Sequence, residues 1–311
     1  MTERMIKRPK KSDPLKIFVL WYFNSDKYLK LNGKTQYDYA SQLDKVCETV
    51  LVDGKSLGAM RMSSISIRHI REAYAIWLKS GTRTANYRAA CLSVVYRVAM
   101  QDEILSMSPV SLLDRQKEQK RKSIWTQDIV NKFLQTCSTD FEYRSIGLIV
   151  HMAYEWAQRI GDMRTLTWDS INLDDRRVDL TQSKRGAEVH LPISDSLYRN
   201  LVQQKEDSIN EYVAPRVKPR GNAYPPYTPD EIGRLINKVK DKANIKEDLW
   251  GMDLRRTAIT EMVESGVDLA QIMQVSGHQN PQSVTPYLVN TFSGATHALG
   301  QRNKFKEDKD E

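Results

Sequence analysis

Cysteine is scarce in this chain and long apolar runs are missing altogether. The three cysteines, Cys47, Cys91 and Cys137, are odd in number and show no metal-ligand spacing. That excludes a disulfide scaffold and a cysteine-based zinc site, and it fits a reducing cytoplasm. The longest apolar run, Ile17 to Phe23, has seven residues, far short of the roughly 20 needed to span a bilayer. A basic stretch precedes it, as in a signal peptide, but Asn24-Ser25-Asp26-Lys27 follows where a small-residue cleavage site would stand. The run therefore reads as the start of a buried helix. No internal repeat is apparent.

What is present is a chain of 311 residues, long enough for two domains at roughly 100–200 residues each. Hydrophobic residues make up 40% and charged residues 28%, a composition of folded protein that excludes wholesale disorder. The formal net charge is +8, and it is unevenly spread. Residues 1–123 hold 23 Lys and Arg against 12 Asp and Glu, a net of +11, which leaves −3 for the rest. An excess so placed points to a polyanionic partner, most naturally nucleic acid; a well-solvated basic domain is the plainer alternative.

The chain opens with a flexible basic arm over 1–12, carrying Arg4, Lys7, Arg8, Lys10 and Lys11. A helical domain is expected over 13–107. Asp13-Pro14 has the form of an N-cap followed by proline at the first helical position. Further helices are expected near Thr35, over Ser66 to Leu78, and after Thr84, where Tyr87, Cys91, Val94, Val95 and Val98 share a stripe. The charged stretch 108–125 reads as a basic linker. A second region, 126–290, is mixed. Helices are expected at about 127–137, 142–156 and near Ser194, Thr228, Asp253 and Val267. Ile171-Asn172-Leu173, Val178 to Thr181 and Glu188 to Pro192 read as three short strands. A tail over 291–311 carries a short helix between Ser293 and Phe305.

Four segments of the second region hold the chemistry. They are Arg159 to Trp168 (RIGDMRTLTW), Lys184 in the turn between the last two strands, Asp253-Leu254-Arg255-Arg256-Thr257, and Gly277-His278 followed nine residues later by Tyr287. Arg159 and Arg255 are 96 residues apart, and Arg255 and His278 are 23 apart. Taken singly, each has a bland reading: ion-paired surface arginines, a solvated lysine, an early-turn acid at Asp162, a helix-end histidine, and a core aromatic at Tyr287 on a face with Val284 and Leu288. In this order and at these separations, with strands around the lysine, they resemble the catalytic domain of the tyrosine recombinases, the phage integrase family. The likeness extends forward, because the basic helical region resembles that family's core-binding domain, and it covers residues 14 to 300 or so.

The resemblance implies a mainly α fold: an all-helical N-terminal core-binding domain, then a mixed α+β catalytic domain with a small three-stranded antiparallel sheet. It implies a site-specific DNA recombinase that needs neither metal nor cofactor. Tyr287 is the nucleophile and forms a 3′-phosphotyrosyl link, whose energy is close to that of the bond broken, so rejoining needs no ATP. Arg159 and Arg255 suit the non-bridging oxygens, because guanidinium donors are rigid, bidentate and permanently charged. His278 adds a donor, Lys184 protonates the leaving 5′-hydroxyl, and Asp162 orients Arg159. One position departs from the family. Met252, three before Arg255, stands where a histidine or lysine is usual, and methionine has no proton to give or take.

By the same resemblance the second and fourth helices face DNA, placing Lys34, Thr35, Arg83, Asn86 and Arg88 near phosphates or base edges, with affinity falling steeply in salt. The arm is much shorter than the arm-binding domain of some integrases, so either core sites alone are recognised or a basic peptide substitutes. The resemblance also implies a tail that docks on the next protomer of a cyclic homotetramer, with a frayed, charged terminus as the plainer alternative. The expected partners are double-stranded core sites and a DNA-bending or directionality factor, in the cytoplasm or nucleoid of a bacterial host. Integration or excision of a phage or mobile element is the leading role. Chromosome-dimer or plasmid resolution, a type IB topoisomerase, and a DNA-binding protein that has lost cleavage are the alternatives.

Overall fold

The computed structural model describes residues 7–119, 121–208, 210–287 and 292–310. The chain divides into two units, Met1–Arg121 and Lys122–Glu311. Residues 1–6 of the expected arm, Lys120 in the expected linker, and Leu288 to Thr291 where the tail begins lie outside the described residues.

The first unit is built from α1 (Leu15–Phe23), α2 (Asp26–Leu29), α3 (Gly33–Glu48), α4 (Ile67–Leu78) and α5 (Thr82–Gln101). Helix α1 begins one residue later than its proline suggested. Pro14 is itself the cap, extended at φ −64° and ψ 152°, while Asp13 accepts the Lys10 amide at 2.7 Å. Helix α3 starts two residues before Thr35, because the Asn32 side chain accepts the Thr35 N–H at 2.8 Å and caps the helix there. The apolar stripes meet in a core containing Phe18, Tyr22, Leu43, Ile70, Trp77 and Leu92. Its one indole N–H is satisfied by Thr49 Oγ1 at 2.8 Å, as a buried donor requires.

Part of the stretch read as a linker is packed. Pro109 and Val110, in a short 3₁₀ turn over Pro109–Leu112, are buried. Beyond them Gln116 N–H reaches the Tyr74 hydroxyl at 2.9 Å, and Asn86 Nδ2 donates to Gln116 O and Glu118 Oε1 at 2.9 and 3.0 Å. Charge made this segment look solvated; the two apolar residues and the Asn86 amide tie it to the first unit.

The second unit holds α6 (Gln127–Ser138), α7 (Arg144–Glu155), α8 (Ile160–Met163), β1 (Ile171–Asn172), β2 (Arg177–Thr181), β3 (Glu188–Pro192), α9 (Asp195–Glu206), α10 (Pro229–Lys242), α11 (Asp253–Glu264), α12 (Leu269–Ser276) and α13 (Phe292–Asp310). Helix α7 is buried from Ser145 through Ala153 and forms the centre of the unit. The strands pair antiparallel in the order β1-β2-β3, with Val178 opposite Leu191 and Leu180 opposite Val189. Strict alternation along β2 and β3 turns these four side chains inward. A smaller cluster of Ala157, Ala258, Ile259, Ile272 and Val284 packs α11 and α12 together, and Tyr287 lies against it. Among the described residues no helix is long and apolar enough to cross a membrane.

Candidate active site

Arg159 stands just before α8 with an extended backbone (φ −70°, ψ 135°), so its side chain leaves the helix start sideways. Its Nη1 donates to Gln182 Oε1 at 2.8 Å. Asp162, buried at 4% exposure, lies 3.8 Å from the same nitrogen as an ion pair. Arg159 thus has a hydrogen bond to Gln182 and a longer ion pair to Asp162, the residue expected to orient it. Asp162 also anchors the β2–β3 turn, its Oδ1 accepting the Ser183 N–H at 3.2 Å and the Ser183 hydroxyl.

Arg255 projects from the first turn of α11 and is 7% exposed. Its Nη2 approaches the His278 ring, 3.2 Å from Nε2, while Nη1 is buried with no hydrogen-bond partner among the described residues. Burial, and then the charge of Arg159, lower its pKa to about 10. His278 follows Gly277, whose left-handed conformation (φ +68°) ends α12. The Ser276 hydroxyl is 2.7 Å from His278 Nδ1. Burial and the cations Arg255, Arg159 and Arg185 push the imidazole down to about 4, so it is neutral near neutral pH.

Tyr287 closes a 3₁₀ turn over Thr285–Tyr287, its N–H bonded to Val284 O at 2.8 Å. Its half-buried ring lies 6.1 Å from the His278 ring, centroid to centroid. The Arg256 guanidinium sits over the Tyr287 ring, 5.2 Å from its centre. Lys184 is exposed in the turn after Gln182. Its neighbour Arg185 is the turn residue whose charge acts on Arg255 and His278. Met252 is 58% exposed beside the start of α11.

Arg159, Asp162, Arg255, His278 and Tyr287 are thus gathered by four separate segments, with the Lys184 turn tied alongside. Gln158, Gln182, Ser276, Arg185 and Arg256 were missed by sequence reasoning. One signal was available: Gln182 continues the inward phase of Val178 and Leu180, an unexpected place for an amide. No group of three or more metal-ligating side chains occurs among the described residues.

In the first unit, Lys34 is exposed and paired with Asp38 at 3.0 Å. The Thr35 N–H is spent on the α3 cap. Arg83 is exposed, and Arg88 Nε donates to Gln42 Oε1 at 3.3 Å. A groove here is lined by Asp38, Arg83, Asn86, Tyr87, Arg115 and Glu118. Asn86 is already engaged at both ends of its amide, since Oδ1 accepts the Tyr74 hydroxyl at 2.7 Å. Its part is to hold the segment after α5 in place.

A profile of the phage integrase family matches residues 124–293. The tyrosine recombinase XerC of Bacillus pumilus (strain SAFR-032) is 22% identical over 229 residues, covering 70% of this chain and 73% of the relative. The Tn1549 transposon integrase, solved in complex with circular intermediate DNA, superposes with a TM-score of 0.73 at 16% identity, covering 93% of this chain and 99% of that one. A lambda integrase tetramer bound to a Holliday junction gives 0.72 at 18% identity, covering 87% and 79%. At such identities the likeness to the solved structures is one of fold.

Proposed function

Because the chain belongs to the phage integrase family, whose tyrosine recombinases cleave and rejoin DNA, we propose that Tyr287 is the nucleophile of a site-specific strand exchange. The convergence of Arg159, Arg255, His278 and Tyr287 on one pocket carries this reading. The Tyr287 oxygen attacks the scissile phosphorus and the bond to the 5′-oxygen breaks. The phenolic proton has an acceptor in the neutral His278 ring, and Lys184 delivers a proton to the departing 5′-oxygen. Arg159 and Arg255 bind the non-bridging oxygens as charge builds on them. Loss of one such preorganised donor costs about 2.7–4 kcal/mol of transition-state stabilisation. Attack by a partner strand's 5′-hydroxyl reverses the steps and frees Tyr287.

The first unit supplies a core-binding surface, with Lys34, Arg83 and Arg88 as its phosphate contacts. Helix α13 docks on a neighbouring protomer within a tetramer on DNA. Movement of a phage or other mobile element is the role, with a bending or directionality factor as an accessory. A second reading has one observation in its favour. Met252 brings no proton-transfer group to a position where the family resemblance implies one, as expected of a sequence-specific binder with impaired cleavage.

A nicked suicide substrate separates the two. Wild type traps DNA covalently on a denaturing gel and Tyr287→Phe does not, with EDTA making no difference. Tight binding with no adduct from either protein establishes the binder. Met252→His accelerates adduct formation if methionine limits the chemistry.

A further inference from the structure

The side chain of Gln182 is fully buried, and every hydrogen-bonding site on its amide nitrogen is used. Nε2 donates to Ser276 O at 2.8 Å and to Gln158 Oε1 at 2.6 Å, while Oε1 accepts Arg159 Nη1 at 2.8 Å. The carbonyl at Ser276 can only accept, so the orientation of the amide is fixed and its oxygen must face the guanidinium. Gln158 is locked in the same way, its Nε2 donating to Trp156 O and Val275 O, each at 2.7 Å. The main chain of Gln182 closes the turn that carries Lys184 and Arg185: its N–H bonds Ala187 O at 2.8 Å, and its C=O accepts Gly186 N–H at 2.9 Å. The opposite wall is just as tight. A Cβ on Gly277 would stand 2.5 Å from Gln182 Nε2.

One amide therefore touches three parts of the pocket. It holds the Arg159 guanidinium, the end of α12 just before His278, and the root of the Lys184 turn. Arg159 has its closer polar partner in Gln182, as the ion pair to Asp162 is 3.8 Å long. Side chains of similar size fail these demands. Glutamate would place a second acceptor against Ser276 O and Gln158 Oε1, and leucine would leave them without a donor.

We propose that Gln182 is a positioning residue that registers Arg159, the His278 segment and the Lys184 turn against one another, so that the charge clamp and the leaving-group acid are set together. This rests on the reading of Tyr287, Arg159 and Lys184 given above. The effect is on the chemical step, since Gln182 is sealed from solvent.

The test is single-turnover cleavage of suicide substrates by the full chain, comparing wild type with Gln182→Leu. An ordinary scissile phosphate should be cleaved 10- to 100-fold more slowly by the variant, with half-saturation by DNA changed less than threefold. Two altered substrates then report on the cause. A methylphosphonate lacks the non-bridging charge that Arg159 meets, and a 5′-bridging phosphorothiolate has a leaving group that needs no acid. The gap between variant and wild type should narrow at least fivefold on one or both. An equal gap on all three substrates, or no gap on the first, overturns the proposal. If Gln182→Leu does not fold, Gln182→Asn carries the test, because its shorter amide loosens the same contacts. If neither folds, the residue is structural and the proposal fails. Wild type giving no adduct on any substrate would instead sink the assignment of Tyr287, a separate outcome.

Discussion

Replacing Gly277 by alanine probes the tightest approach in the site, and its cost can be worked from two independent features. The backbone at Gly277 has φ +68°, a region where an L-residue with a Cβ costs about 1–2 kcal/mol. The new Cβ would also lie 2.5 Å from Gln182 Nε2, 2.8 Å from its Cδ and 3.0 Å from its Oε1. That amide is buried and bonded on both ends, so it cannot swing aside without breaking bonds worth about 0.5–1.5 kcal/mol each net, and more if a buried group is left unpaired. Together these give a loss of about 3 kcal/mol. With a urea m-value of about 2–3 kcal/mol/M, the unfolding midpoint followed by tryptophan fluorescence should fall by about 1–1.5 M. Gly277→Asn separates the two contributions, since asparagine tolerates the left-handed region better but keeps the Cβ; it should still be costly. In a Gln182→Ala background the clash disappears, and Gly277→Ala should cost about 1 kcal/mol, the conformational share alone. Equal costs in both backgrounds, or a cost below about 1 kcal/mol in the wild type, would refute the idea that this backbone presses on the amide.

The remaining predictions follow from burial and charge. His278 has a folded pKa of about 4 against 6.5 for the free side chain, so between those values the unfolded chain takes up a proton that the folded one refuses. Stability from this group is therefore lost as pH falls from about 6.5 toward 4, and wild type should lose more than His278→Gln across that window in urea titrations. Burial raises the thiols of Cys47, Cys91 and Cys137 to about 12. At pH 8 a disulfide reagent should titrate no thiol in the native protein and all three in guanidinium, since the thiolate is the reactive form. Arg255→Lys should slow cleavage by about 10²–10³ at saturating DNA, as a single ammonium cannot reproduce the guanidinium fork; a change under tenfold would remove Arg255 from the charge clamp.

The helices and strands were legible because their signals are local. Apolar periodicity and caps set α3 through α7, and alternation with turn residues set β2 and β3, each needing no knowledge of the rest of the fold. Errors came where a cap competed with a neighbour, as at Asn32 and Pro14. The segment after Ser108 misled because its charges outnumber Pro109 and Val110, yet those two residues decide where it packs. The candidate site was legible for a different reason. Cations and a phenol at fixed separations are a chemical signature that survives without any structural insight. Gln182 and Gln158 carry no charge and titrate nowhere, so nothing in the sequence distinguishes them from surface amides except the inward phase of β2. Their significance depends on a long-range meeting, Gln182 with Ser276, that only folding creates.

The pocket without DNA is electrostatically unbalanced, and that imbalance says how it would treat a phosphate. Arg159 and Arg185 act on Arg255, all three act on His278, and Asp162 is the carboxylate that acts on Arg255 in the opposite sense. Arg255 is held below its ordinary pKa, and its Nη1 has no hydrogen-bond partner among the described residues. Both are costs borne by the fold. A phosphodiester anion entering between the arginines offers acceptors for the unpaired donor and screens the cations from one another. The same event raises the proton affinity of His278, since it adds negative charge beside a ring depressed partly by positive neighbours. Under the proposed function, binding and activation are one step: the anion that fills the clamp would also prepare the imidazole to receive the proton of the attacking phenol. A pocket already neutralised by its own carboxylates would bind the backbone less tightly and would leave the imidazole unchanged when DNA arrived.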